Sequence, residues 1–239
     1  LKRSKVAVAI ACTVLAASCV PAVTTQSTRT SGTGADQLRF LALGDSYTIG
    51  EGVAAQDRWP VQLAALLRSH GIAIGDPEII ARTGWTTDEL QSAIGRESPH
   101  GPYALVTLLI GVNNQYRGRS ITEYRAQFTD LLTQAIALAG GQSTRVLVLS
   151  IPDWGVTPFA AGKDQAQIAG DIDRFNAVNR EVTVGRGARY VDITPDSRTA
   201  TDAGSFAVDG LHPSGMAYRR WAEDAVSEAQ AALGGAGTR

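Results

Sequence analysis

From Leu38 onward the chain alternates short, unbroken apolar runs with longer segments whose apolar residues recur at helical spacing. The runs "ALVTLLI" (Ala104–Ile110) and "RVLVLSI" (Arg145–Ile151) lack the apolar–polar alternation of a half-exposed strand, so they must be covered on both faces. Candidate strands are Leu38–Leu43, Glu78–Ala81, Leu105–Ile110, Arg145–Ile151 and Arg189–Ile193. Between them lie helices with readable ends. Thr86-Thr87-Asp88-Glu89 and Ser120-Ile121-Thr122-Glu123 match the capping box, in which side chain and glutamate satisfy each other's free backbone N–H groups. Trp59–His70 carries Leu63, Leu66 and Leu67 and stops at Gly71. The segment after Ser120 keeps a stripe of Tyr124, Phe128, Leu131 and Ala135 up to Gly140, and a last helix runs from about Ser214 to Leu233. Five strands alternating with helices predict an α/β domain, a three-layer α/β/α sandwich around a mainly parallel five-stranded sheet. No internal repeat interrupts it.

The first 37 residues read differently. Lys2, Arg3 and Lys5 precede an apolar stretch from Val6 to Ala17, at about a dozen residues too short to span a bilayer comfortably. This is the pattern of an export signal, assigned to residues 1–18. Leu15-Ala16-Ala17-Ser18-Cys19 resembles the lipobox of bacterial lipoproteins, which would make Cys19 the lipidated first residue of the processed chain and tether it to a membrane. Ordinary cleavage further on, for example after Ala22, would instead release a soluble secreted protein. Residues 19–37, rich in Thr, Ser and Gly, read as a flexible linker, leaving 38–239 as the folded domain.

Both cysteines, Cys12 and Cys19, fall in the signal region, so the domain must be stabilised by its core without a disulfide. At about 200 residues it is long enough to bury one. With 22 basic residues against 23 acidic ones, the chain has no basic footprint for nucleic acid. The fold is self-sufficient, so a monomer is expected. No His/Cys/Asp cluster has metal-ligand spacing, and neither a metal nor another cofactor is implied.

Parallel α/β sheets bind ligands at the carboxyl ends of their strands. Four strand ends carry chemistry: Gly44-Asp45-Ser46, Ala81-Arg82-Thr83-Gly84-Trp85, Gly111-Val112-Asn113-Asn114, and a long final loop with Asp209-Gly210-Leu211-His212-Pro213. Singly, each has an ordinary explanation; Ser46 suits a helix cap and Asn113 a turn. Three histidines are present, and only His212 stands beside an acid at a strand-side loop; His70 precedes a helix-stop glycine and His100 sits in "SPHGP". The glycines Gly50 and Gly52 follow Ser46 with no Lys-Ser/Thr after them, which excludes a Walker-type phosphate cradle, and G-x-G-x-x-G is absent. Ser46 as a nucleophile is the better reading.

Together these pieces resemble the SGNH, or GDSL, hydrolases, bacterial exported GDSL-like lipases and acylhydrolases among them. "GDSYTIG" matches the first block, with Tyr47 where leucine often stands; "ARTGWTTDEL" matches the second at Gly84, "GVNNQ" the third at Asn113, and "DGLHPS" the last at Asp209 and His212. The order is the family's and covers the whole domain. Asn114 replaces the aspartate often found after the block-three asparagine. The resemblance implies a flavodoxin-like fold and a catalytic triad of Ser46, His212 and Asp209, with an oxyanion hole from the Ser46 and Gly84 N–H groups and the Asn113 amide. Trp85, Asp153 and Trp154 are candidate substrate contacts, and Arg117 or Arg119 are candidates to meet an anionic head group.

The expected activity is therefore hydrolysis of carboxylic esters, either O-acetyl groups on carbohydrate or acyl chains of lysophospholipids and similar lipids. Acyl transfer to an alcohol would use the same residues. A noncatalytic carbohydrate-binding lipoprotein of this fold is the reading from a different class, and a nucleophile–base pair argues against it.

Overall fold

A computed structural model describes residues 37–199 and 202–234. The expected signal segment 1–18, Cys19 with its lipidation, and the expected linker up to residue 36 lie outside these residues.

The strand β1 (Phe40–Gly44) leads into the one-turn helix α1 (Ser46–Ile49) and then α2 (Trp59–Ser69). Next come β2 (Glu78–Ala81) and α3 (Thr87–Glu97), followed by β3 (Leu105–Leu109) with the short α4 (Val112–Tyr116) and the long α5 (Ile121–Leu138). After β4 (Val146–Leu149) comes α6 (Gln165–Gly185); after β5 (Arg189–Val191) come α7 (Thr194–Thr199) and α8 (Gly215–Gly234). All five strands pair in parallel in the order β2-β1-β3-β4-β5.

That order explains the layers. From β1 to β2 the chain steps towards one edge, and from β2 to β5 it moves towards the other. Right-handed crossovers therefore put α2 on one face and α3, α5 and α6 on the opposite one. Accordingly α2 packs against α8, and α5 packs against both α3 and α6. The apolar runs behave as double-sided coverage requires, since every residue of β1, β3 and β4 is buried. Trp59 from α2 and Trp221 from α8 are among the largest fully buried side chains. The direction reverses between β1 and β3, and at such a switch point the flanking loops diverge and leave a crevice.

Strand ends are shorter than the apolar runs suggest because side chains take over the backbone bonds there. Ile151 N–H donates to Asn176 Oδ1 (2.8 Å) and Ile193 N–H to Ser150 Oγ (2.8 Å), so both residues leave the ladder. Leu38 precedes β1 and makes only a single bridge, to Ile74. The Thr86 capping box forms, with Thr86 N–H donating to Glu89 Oε2 at 2.9 Å. The one at Ser120 is half formed: Ser120 Oγ accepts from Glu123 N–H, but the Glu123 carboxylate goes to Arg119 and Gln127 instead.

The 21-residue α6 carries no clear sequence signal. Its buried face mixes Ile168, Ile172, Phe175 and Val178 with Asn179 and Thr183, which blurs the amphipathic contrast. Its start is set by Asp164, whose side chain accepts from Gln167 N–H at 2.9 Å. Asp164→Ala should cost about 1 kcal/mol of stability, read as a lower urea midpoint with an unchanged slope.

Candidate active site

Ser46 emerges where β1 gives way to α1. Asp45 is the N-cap of this helix and accepts from Tyr47 N–H through Oδ1 at 3.1 Å. Ser46 is then the first helical residue, a position whose N–H has no intrahelical partner. Among the described residues neither its N–H nor that of Gly84 is bonded to a protein acceptor. The glycines after Ser46 allow the chain to close up. At Gly52 (φ +78°) an added Cβ would stand 2.7 Å from the Ala207 Cβ and 3.9 Å from Asp209 Oδ2, so only glycine lets the loop carrying Asp209 approach.

That loop holds His212 from both sides. Ala207 N–H donates to the His212 carbonyl (2.7 Å), and Ser214 N–H to the Ser205 carbonyl (2.9 Å). Asp209 divides its carboxylate between two tasks. Oδ1 accepts from the N–H groups of Leu211 (2.9 Å) and His212 (3.0 Å), fixing the turn, while Oδ2 lies 2.6 Å from His212 Nδ1. Partial burial works against ionisation of Asp209, yet the bonds from the His212 ring and the two N–H groups outweigh it and hold the carboxyl below its ordinary range. With Nδ1 facing a carboxylate, Nε2 is left free to exchange a proton. The Tyr47 ring packs 5.3 Å from the imidazole, centroid to centroid, and 5.8 Å from Trp221. The residue standing in for the usual leucine thus buttresses the histidine.

Asn113 lies in α4, which begins just beyond β3. Its Nδ2 donates to the Trp85 carbonyl at 3.0 Å. Its neighbour Asn114 is fully buried and grips the same loop, its Oδ1 accepting from Thr87 N–H (3.1 Å) and its Nδ2 donating to Thr87 Oγ1 (2.7 Å). The amide reproduces the loop-holding that an aspartate would give, without burying a charge.

Ser46, Asn113 and His212 line one cavity of about 140 Å3, together with Tyr47, Val112, Tyr116, Trp154, Phe159 and Leu211. Asp209 stands behind His212. Gly84 is not on the wall itself; it flanks Trp85, to which Asn113 is bonded. Of the other sequence candidates, Trp154 lines the cavity, anchored by Nε1 donating to Gln115 Oε1 at 2.8 Å. Trp85 packs partly buried against the core instead. Asp153 is buried, and its carboxylate is occupied by Gly155 N–H (2.8 Å) and Arg198 Nε (2.8 Å), so it braces the loop rather than facing the cavity. Arg119 pairs with Glu123 at 2.8 Å. Tyr116 and Phe159, 52% and 42% exposed, also line the cavity and carry no motif in the sequence. Only their partner marks them: Tyr116 meets the Trp154 ring at 5.3 Å and Phe159 meets it at 6.2 Å. Among the described residues no three His, Cys, Asp or Glu side chains gather as a metal site.

A model of the GDSL-like lipase/acylhydrolase family matches residues 42–220. The chain belongs to this family. Membership supports ester hydrolysis as its general chemistry. Among solved structures, TesA superposes with a TM-score of 0.65 at 20% identity, covering 82% of this chain and 99% of TesA. The psychrotrophic esterase EstA from Pseudoalteromonas sp., inhibited by monoethylphosphonate, gives 0.61 at 15% identity over 83% of this chain and 100% of its own. An acetylxylan esterase from Geobacillus stearothermophilus gives 0.62 at 16%, covering 80% and 94%. At these identities the likeness is one of fold. No curated protein sequence matches the chain significantly.

Next to Ser46, burial pushes the Asp45 carboxyl up to about 7, against the pull of the Tyr47 and Asp45 N–H groups. An acid whose pKa is raised on folding binds more protons folded than unfolded, so stability falls as pH rises from its unfolded value of 3.8 towards about 7. Asp45→Asn keeps the cap and removes this titration. The difference in Tm between variant and wild type should therefore shift in the variant's favour from pH 4 to pH 7 and level off above; a constant difference would contradict the burial account.

Proposed function

We infer that this protein is an exported serine esterase that hydrolyses carboxylic esters with a short acyl group, O-acetyl esters included. The observation that carries this reading is the Asp209–His212 contact at 2.6 Å, in a loop whose histidine shares one cavity with Ser46 and Asn113.

In this mechanism Ser46 Oγ attacks the ester carbonyl while His212 Nε2 takes the hydroxyl proton; serine needs such a base because its hydroxyl is weakly nucleophilic at neutral pH. Asp209 holds the imidazole in the tautomer with Nε2 unprotonated and stabilises the imidazolium that forms. The carbonyl oxygen becomes an oxyanion facing the N–H groups of Ser46 and Gly84 and the Asn113 amide. Collapse of the intermediate breaks the bond to the alcohol, which leaves with the proton from His212. Water then attacks the acyl-serine, giving up its proton to His212, and the carboxylic acid departs as Ser46 regains its hydrogen.

Cavity size favours small acyl groups. Its volume is near that of the ~150 Å3 apolar cavity that accepts a benzene ring, and Val112, Trp154, Phe159 and Leu211 offer an apolar wall. Kinship of fold with an acetylxylan esterase lends support to acetyl esters.

The test is the rate on p-nitrophenyl esters from acetate to palmitate. Ser46→Ala should abolish it, and Asn113→Ala should lower kcat by about 100–1000-fold, the typical cost of one oxyanion donor. Short esters should be preferred, with a loss of at least about 10-fold once the chain outgrows the cavity. A rate that rises towards palmitate would favour a lysophospholipase instead. For the proposed tether, Cys19→Ala should move the protein from the membrane to the soluble fraction of the producing cells.

A further inference from the structure

The loop carrying Gly84 is held by α4 through several side chains, and Arg117, just past the helix, is one that the mechanism leaves unused. Its Nη2 donates to the Gly84 carbonyl at 2.6 Å, bridging 33 positions of sequence. Its Nη1 lies 3.4 Å from Glu89 Oε2, the same oxygen that caps α3 through Thr86 N–H at 2.9 Å. Four residues earlier, on the same side of the helix turn, Asn113 holds the next carbonyl, that of Trp85. Two successive carbonyls of one loop are thus fixed by two side chains one helical turn apart.

Gly84 needs such fixing. Trp85 N–H closes a turn onto the Arg82 carbonyl at 3.2 Å, with Gly84 third in the turn at φ +85°, the sign that a type II turn requires there. Glycine takes that conformation readily but also leaves it readily. An oxyanion donor is useful only within about 0.5 Å of its productive position. Arg117 is half-exposed, so its ion pair with Glu89 adds little stability; its value lies in geometry.

We propose that Arg117 is a positioning residue of the esterase site, whose guanidinium, anchored by Glu89, clamps the Gly84 carbonyl and thereby keeps the Gly84 N–H aimed at the oxyanion. This rests on the serine-esterase reading above. It also gives Arg117 a different task from the anionic head-group contact expected from the sequence, because both Nη atoms already have protein partners.

The experiment compares full-length wild type, Arg117→Ala and Arg117→Lys on a neutral ester, p-nitrophenyl acetate, and an anionic one, p-nitrophenyl hydrogen succinate. Labelling of Ser46 by a fluorophosphonate is timed alongside. Arg117→Ala should lower kcat by about 10-fold on both esters, less than outright loss of a donor, with KM and Tm little changed. Lysine, which can still donate one hydrogen bond to the carbonyl, should restore part of the rate. Phosphonylation should slow in parallel, since the phosphonyl oxygen occupies the oxyanion position. An unchanged kcat on the neutral ester overturns the proposal, as does a loss confined to KM for the anionic ester, which would make Arg117 a head-group contact. A loss of kcat that lysine does not relieve, accompanied by a fall in Tm, also overturns it in favour of a purely structural role. If wild type neither turns over ester nor labels at Ser46, the esterase reading itself fails, and this proposal with it.

Discussion

The parallel pairing of β1 with β3, from Phe40 opposite Leu105 to Gly44 opposite Leu109, is the contact on which the rest depends. Both strands are buried along their whole length, so a slip in register would misplace side chains on both covered faces. Because Gly44 and Leu109 end side by side, the segments that follow emerge together: Asp45-Ser46 from one strand, and Ile110 to Asn113 from the other. The reversal of strand order at this pair keeps any crossover helix from covering the gap. A serine and an asparagine 67 positions apart in sequence thus reach one cavity without a specialised loop to bring them there.

The second constraint is the economy of α4. In six consecutive residues, Val112 and Tyr116 line the cavity, Asn113 faces both it and the Trp85 carbonyl, Asn114 ties down Thr87, Gln115 holds the Trp154 indole, and Arg117 holds Gly84. A helix points successive side chains about 100° apart, so a single turn can reach a loop on one side and an aromatic wall on the other. The Asn113 amide, the tie to Gly84 and the aromatic wall of the cavity therefore share one support. A shift of α4 by a fraction of an ångström would alter them together.

The layers of the fold were legible because their signal is local. Double-sided burial writes unbroken apolar runs, as in β3 and β4, and capping residues such as Thr86 and Glu89 mark a helix start within four positions. Where tertiary context decides, the sequence was silent or misleading. The face of α6 includes Asn179 and Thr183, whose burial follows from neighbours distant in the chain. Ile151 and Ile193 belong to apolar runs yet leave the sheet for side-chain partners. At the proposed site, Ser46, Gly84, Asn113, Asp209 and His212 stand out as candidates because each sits in a short motif. Tyr116 and Phe159 do not, since an aromatic residue in a loop has no pattern until its neighbour Trp154 is known. Asp153 misled for a related reason: an acid beside a strand end looks available until Arg198, 45 positions later, is seen to occupy it.

Asp209 and His212 belong to a single turn whose carboxylate also ties its own backbone, whereas the serine and the amide come from separate strand ends. The proposed site is therefore divided into a portable part and a fixed part. The acid–base pair is a self-contained cassette of a few residues, whose internal geometry survives any movement of the loop as a whole. Displacing that loop would withdraw acid and base together and leave the nucleophile idle, never paired with a histidine in the wrong tautomer. Such a site switches off cleanly, and variation among relatives has room to act on where this cassette docks while leaving its interior alone.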